Sequence, residues 1–124
     1  MRSLAEFLKL LPPLPLPAEM RTWDAAAVKL GMPEVLLMEN AARAAFDVLL
    51  DYRPHPAGQT VWLFMGSGSN GGDAASLARH LLDAGARPLV LHTKALGAYK
   101  GVTAKHLRIA RAAGVAFAPL GPHN

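Results

Sequence analysis

The stretch Gly66-Ser67-Gly68-Ser69-Asn70-Gly71-Gly72-Asp73 combines residue types that could hold a small polar ligand. Four glycines in eight residues let the backbone take positive φ and bring its amides against a bound group. The next segment, Ala74 to Ala84, is patterned as a helix, and a helix N-terminus with unpaired N–H groups suits a phosphate or another anion. Asp73 also has a plainer use there, as a charge that complements the helix dipole. The spacing departs from the dinucleotide fingerprint G-x-G-x-x-G, because Gly71 is followed at once by Gly72 and Asp73. Glycine spacing alone fits many turns. The Asn-Gly-Gly-Asp core narrows the choice, since a turn requires neither a second glycine nor a flanking carboxamide and carboxylate.

Such a loop needs a strand before it and a helix after it. Val61–Met65 is an unbroken apolar run, expected to be a strand buried on both faces of a parallel sheet. The following helix is expected to place Leu77, Leu81 and Ala84 inward, with Arg79, His80 and Asp83 outward and Gly85 as its stop. Pro88–Leu91 reads as a second strand, Gly101–Ala113 as a helix, and Val115-Ala116-Phe117 as the start of a third strand. Upstream, Glu19–Leu30 carries Met20, Trp23, Ala27 and Leu30 on one helical face. A second helix begins with Pro33 and runs to about Leu50, with Val35, Met38, Ala42, Ala45 and Leu49 in a stripe. Met20, Met32 and Met38 read as core filler. Residues 1–18 form an arm, a short amphipathic turn with Leu4, Phe7, Leu8 and Leu11 followed by a proline-rich connector. Residues 19–124 form the domain.

The order α-α-β-α-β-α-β predicts an α/β fold: a three-layer αβα, Rossmann-like parallel sheet, truncated to about three strands and preceded by N-terminal helices. Three strands would leave one edge and part of a face uncovered. The chain reads as the first half of a domain.

With 124 residues the chain is one domain at most. It has no cysteine, which excludes disulfides and thiolate metal sites and makes a reducing, cytoplasmic setting the default. No apolar run reaches the ~18–20 residues of a membrane span. The net charge of +4 is uneven: after Asp83 there are six basic residues, from Arg87 to Arg111, and no acidic one. Two explanations stand: an anionic ligand or nucleic acid, or acidic partners on something outside the chain.

Several motifs together resemble the YjeF N-terminal domain family. They are Glu19-Met20-Arg21 with Trp23-Asp24, Gly31-Met32-Pro33, Leu37-Met38-Glu39-Asn40-Ala41-Ala42-Arg43-Ala44, the Gly66–Asp73 loop, and Ala78-Arg79-His80-Leu81. They fall in the family's order and cover roughly residues 18–118. The resemblance implies an NAD(P)H-hydrate epimerase, which interconverts the R and S epimers of hydrated NADH or NADPH for repair of the nicotinamide cofactor. It implies that Ser69, Asn70, Gly71, Gly72 and Asp73 lie against the hydrated dinucleotide, with Asn40 close by. It makes Asn70 a ligand of a potassium ion, for which a carboxamide oxygen is a suitable hard donor. Lys94 takes the place of the family's acid–base lysine, against the plainer reading of a solvated lysine at a strand end. Among partners it allows a homodimer and a NAD(P)H-hydrate dehydratase domain or protein. It offers no reason to expect a membrane and makes nucleic acid disfavoured.

Two departures qualify the resemblance. Ser69 and Ala74 stand where the family usually has asparagine and glycine. The family's later motif, an aspartate followed by a Gly-rich loop, is not in the sequence, so this chain is expected to be inactive by itself. A different class of reading is a non-catalytic YjeF-like scaffold or dimerisation domain, associated with RNA turnover. A third is a product that does not fold stably.

Overall fold

A computed structural model describes residues 3–68 and 70–121. The chain divides into two compact units, Met1–Met32 and Pro33–Asn124. The first holds helices α1 (Leu4–Leu10) and α2 (Pro17–Lys29). A capping box starts α1: Ser3 N–H donates to Glu6 Oε2 (2.9 Å) and Glu6 N–H to Ser3 Oγ (3.2 Å). Helix α2 buries none of its residues. The apolar face expected of Met20, Trp23 and Leu30 is therefore exposed, and Met20 and Met32 are not core filler. Periodicity reports an amphipathic face, and nothing in this unit is large enough to cover one.

The second unit runs α3 (Glu34–Tyr52), β1 (Thr60–Met65), α4 (Asn70–Asp83), β2 (Arg87–His92), a 3₁₀ turn (Leu96–Ala98), α5 (Gly101–Ala112) and β3 (Ala116–Pro119). The strands are parallel in the order β1-β2-β3, with Leu63 beside Val90 and Val90 beside Phe117. Gly85 and Gly114, at φ 85° and 99°, end α4 and α5. There the N–H of Ala86 returns to Leu81 O and that of Val115 to Ala110 O, both at 3.0 Å, closing the helix ends and aiming the chain back along the sheet.

Helix α4 packs on one face of the sheet, at β1 and β2, with α3 and α5 packed against it. That face presents Leu63, Met65, Val90 and Phe117, which pack with Ala75, Ala78, Leu81, Leu107 and Ala110. Side chains alternate across a strand, so Trp62, Phe64, Leu89, Leu91, Ala116 and Ala118 take the other face. Trp62 is 64% and Phe64 63% exposed. The expectation that β1 is buried on both faces is thus corrected, because an apolar run does not by itself place a cover over each face. In this unit the second face is exposed at β1, and the uncovered edge and face expected of a three-stranded sheet are present.

Candidate functional site

The loop from Gly66 to Asp73 leaves the carboxyl end of β1 and enters α4, at the edge where parallel α/β sheets bind ligands. The expected contacts of Ser69 and of the Asn70 side chain lie outside the described residues. The two glycines after Asn70 are buried in the first turn of α4. A Cβ on Gly72 would strike Met38 Sδ and come within 2.8 Å of Met38 Cε and 3.2 Å of Thr103 Cα. One on Gly71 would lie 3.1 Å from Gly66 O and Met65 Cγ. Gly72 thus lets α3 and α5 pack closely on the start of α4, and Gly71 lets that turn lie close to the end of β1, whatever the loop binds.

A cavity of about 420 Å³ opens beside the loop, lined by Ser67, Gly68, Lys94, Tyr99, Lys100, Thr103 and, from α3, Glu34. Lys94 follows β2, and its ammonium reaches Ser67 O at 3.4 Å while lying 4.7 Å from the centre of the Tyr99 ring. That placement gives a cation–π contact. Tyr99 is itself fixed, its hydroxyl donating to Met65 O at 3.0 Å in the interior. His92, also buried, holds the Lys94 carbonyl through Nδ1 at 2.8 Å. Sequence reasoning missed Tyr99, Lys100, Thr103 and Glu34, because only the folded chain brings the start of α5 and of α3 to the end of β2.

Gly71, Gly72, Asp73 and Asn40 do not line this cavity. Asn40 is exposed on α3, one residue beyond Glu39. Asp73 is half-buried, and burial pushes its carboxyl above the ordinary value, an effect partly offset by the nearby His106. A potassium ion needs a shell of several oxygens. Among the described loop carbonyls, that of Met65 is engaged by Tyr99 and Thr93, and that of Ser67 by the Lys94 ammonium. No cluster of three or more His, Cys, Asp or Glu suited to a metal occurs among the described residues. These residues do not by themselves assemble a potassium shell.

Behind the loop, three helices meet around Glu39. Its carboxylate accepts from Ser76 Oγ at 2.7 Å and from Arg79. His80 Nε2 lies 2.8 Å from Oε1, close but off line for a hydrogen bond, and its ring stacks on Phe46. His106, 1% exposed on α5, donates from Nε2 to Val35 O at 3.0 Å and turns Nδ1 toward Glu39 Oε2 at 3.7 Å. Burial raises the Glu39 carboxyl, but the Ser76 bond and the Arg79 and His80 charges outweigh it and hold it below its ordinary value. The expectation that Arg79 and His80 point outward is corrected. Helix α4 is covered by the sheet on one side and by α3 and α5 on another, so fewer of its positions reach solvent than a simple amphipathic pattern allows.

A model of the YjeF-related protein N-terminus family matches residues 34–124. The chain belongs to this family. It is similar to an NAD(P)H-hydrate epimerase of Rhodopirellula baltica, with 35% identity over 112 residues, 90% of this chain and 44% of that protein. It is also similar to a bifunctional NAD(P)H-hydrate repair enzyme, Nnr, of Thermanaerovibrio acidaminovorans, with 47% identity over 77 residues, 62% of this chain and 15% of that protein. The crystal structure of the yeast protein ynu0 superposes with a TM-score of 0.68 at 21% identity, over 86% of this chain and 47% of that one. That likeness bears on the fold. This YjeF-related chain spans less than half the length of the curated relatives it matches. No described helix is long and apolar enough to cross a membrane.

Proposed function

We propose that this YjeF-related domain binds hydrated NADH or NADPH at the cavity beside the glycine loop and serves the interconversion of their R and S epimers. The observation that carries the reading is Lys94: its ammonium stands at the carboxyl edge of the sheet, between the Ser67 carbonyl and the Tyr99 ring, over a cavity able to take part of a dinucleotide. A lysine so placed can exchange a proton with a bound ring, the acid–base role its family position implies. Ser69, Asn70, Gly71, Gly72, Asp73 and Asn40 are the contacts that family position implies for the part of the dinucleotide outside this cavity, and Asn70 one donor to a potassium ion whose other ligands lie outside the described residues. A NAD(P)H-hydrate dehydratase is the natural partner.

The carboxylate that shares the cavity with Lys94 is Glu34, at its α3 side. The family's aspartate and Gly-rich loop are not among these 124 residues, and the loss of an acid–base group typically costs ~10²–10⁴ in rate, so this polypeptide alone should interconvert the epimers weakly or not at all. Calorimetry with hydrated NADPH tests the binding: Lys94→Ala and Asn70→Ala should each weaken it, and binding indifferent to both would refute the site. RNA titrated at low and moderate salt serves as the control, since affinity for RNA alone, lost with salt, would assign the basic segment to nucleic acid instead.

One finding favours a second reading, a non-catalytic scaffold. Gly71 and Gly72 lie in close packing against Met65, Met38 and Thr103, a use for them that needs no ligand. An epimer-conversion assay on a chain that carries the downstream family motif separates the two.

A further inference from the structure

We propose that Glu39 is a positioning residue, the hub that sets the first turns of α4 and with them the glycine loop. The inference rests on the reading above only in assigning that loop to a ligand. Two neighbouring side chains of α3 act on the start of α4. Met38 lies over Gly72, and Glu39 grips the next turn through Ser76, Arg79 and His80, at relative spacings of three and four residues. Side chains so spaced share one helix face, so a single carboxylate can hold a whole turn. From the other side α5 brings Thr103 against Gly72, and His106 ties α5 to α3 through Val35 O.

The chemistry around Glu39 is one-sided. Arg79, His80 and His106 converge on it, and Ser76 and His106 are essentially inaccessible to water. Among the described residues, Glu39 is the sole carboxylate within 4.0 Å of any of these three side chains. Without its charge, Ser76 Oγ and the Arg79 guanidinium are left with a neutral oxygen, a weaker acceptor than a carboxylate, and Ser76 is closed to solvent. The Arg79 guanidinium and the His80 and His106 rings would then converge with no anion between them. The first contact to open is the one Glu39 flanks, Met38 on Gly72. That contact holds the turn from which the loop departs, whereas none of the network's hydrogen bonds and ion pairs among the described residues reaches a strand.

Amide hydrogen exchange of the 124-residue chain tests this without a ligand. Glu39→Gln keeps the shape and removes the charge. The expected result is exchange about 10- to 100-fold faster for amides of 71–79, with Leu63 and Val90 in the sheet unchanged. Acceleration spread evenly over α4 and the sheet would make Glu39 a general stabiliser, and no acceleration would make the network inert; either result overturns the proposal. If Glu39→Gln does not fold, Ser76→Ala removes one arm of the hub and should speed exchange over the same segment to a smaller extent. Absence of that local change also overturns it. Calorimetry with hydrated NADPH on the same variants adds the functional arm, where affinity should fall in step with the local exchange. Failure of the unsubstituted chain to bind would count against the ligand reading alone, because the exchange comparison decides the role of Glu39 independently.

Discussion

Met38 and Gly72 are in contact at the point where α3 crosses the first turn of α4, so closely that a Cβ on the glycine would fall 2.8 Å from the methionine's Cε. Thr103 closes the same spot from α5, with its Cα 3.2 Å from that position. The pair makes the second glycine of Asn-Gly-Gly-Asp a packing residue.

Gly72→Ala should destabilise the chain by about 1–3 kcal/mol, the usual cost of forcing extra volume into a packed site. Gly66 and Gly68 have open space at the Cβ position and no positive φ. Alanine at either should change stability by no more than about 0.5 kcal/mol. Urea denaturation of the three variants checks the contrast, and equal effects would contradict the packing account.

Lys94→Met should abolish binding of hydrated NADPH while leaving the denaturation midpoint nearly unchanged. The side chain is only half-buried and its polar contact, to Ser67 O at 3.4 Å, is long. Tyr99→Phe behaves differently: it removes a buried hydrogen bond worth about 0.5–1.5 kcal/mol, but Met65 O keeps the Thr93 N–H at 3.1 Å. A loss of stability in Lys94→Met as large as in Tyr99→Phe would show the lysine to be structural.

Glu39 and Asp73 should act on stability with opposite signs. The folded-state value of Glu39 is depressed, so its contribution is complete above the ordinary unfolded value of about 4.3 and is lost as pH falls through the folded one. The value of Asp73 is raised, so its contribution is complete below the unfolded value of about 3.9 and is lost as pH rises through the folded one. Glu39→Gln should therefore flatten the acid limb of a melting-temperature profile, and Asp73→Asn should raise the melting temperature at neutral pH. If Asp73→Asn also weakens the binding of hydrated NADPH, the aspartate is kept for the ligand at the expense of the fold. A melting temperature that falls in Asp73→Asn at neutral pH would show that the carboxylate is stabilising there.

The uncovered sheet face should bind a hydrophobic dye such as anilinonaphthalene sulfonate through Trp62 and Phe64, with Leu89 and Leu91 beside them on β2. Replacing Trp62 and Phe64 together by threonine, a good strand former, should remove most of that signal and leave the helix content intact. Dye fluorescence and far-ultraviolet dichroism on the same samples check both halves.

The parallel βαβ order was legible because its signals are local: an apolar run, glycine stops, and helical spacing between them. Val61–Met65 shows the limit of such signals. Its residues are apolar at every position, yet Trp62 and Phe64 are exposed while Leu63 and Met65 are not. Which face is covered depends on where both crossover helices travel, and no property of those five residues records that. Lys94 is singled out only by the family resemblance, since its place after a strand fits any solvated lysine, whereas its neighbours Tyr99 and Thr103 lie in a turn and a helix with no motif to mark them. Glu39 enters the sequence reading only as one residue of the family motif Leu37–Ala44. Its partners Ser76, Arg79 and His80 are 37 to 41 residues away, a separation at which spacing rules are silent.

The two strand ladders share one offset: Thr60 pairs with Arg87 and Leu89 with Ala116, 27 residues apart in each case. The entropic cost of closing a loop grows only with the logarithm of its length, so the two closures carry nearly the same penalty. Neither contains the other, and each brings its own crossover helix. The first, from Thr60 to His92, already joins Met65, Leu81 and Val90, three of the most completely buried side chains. Contacts of moderate sequence separation form faster than distant ones. A chain emerging from the ribosome can therefore zip its first ladder once residue 92 is free, while β3 is still being made. The later strand then docks on a template already set.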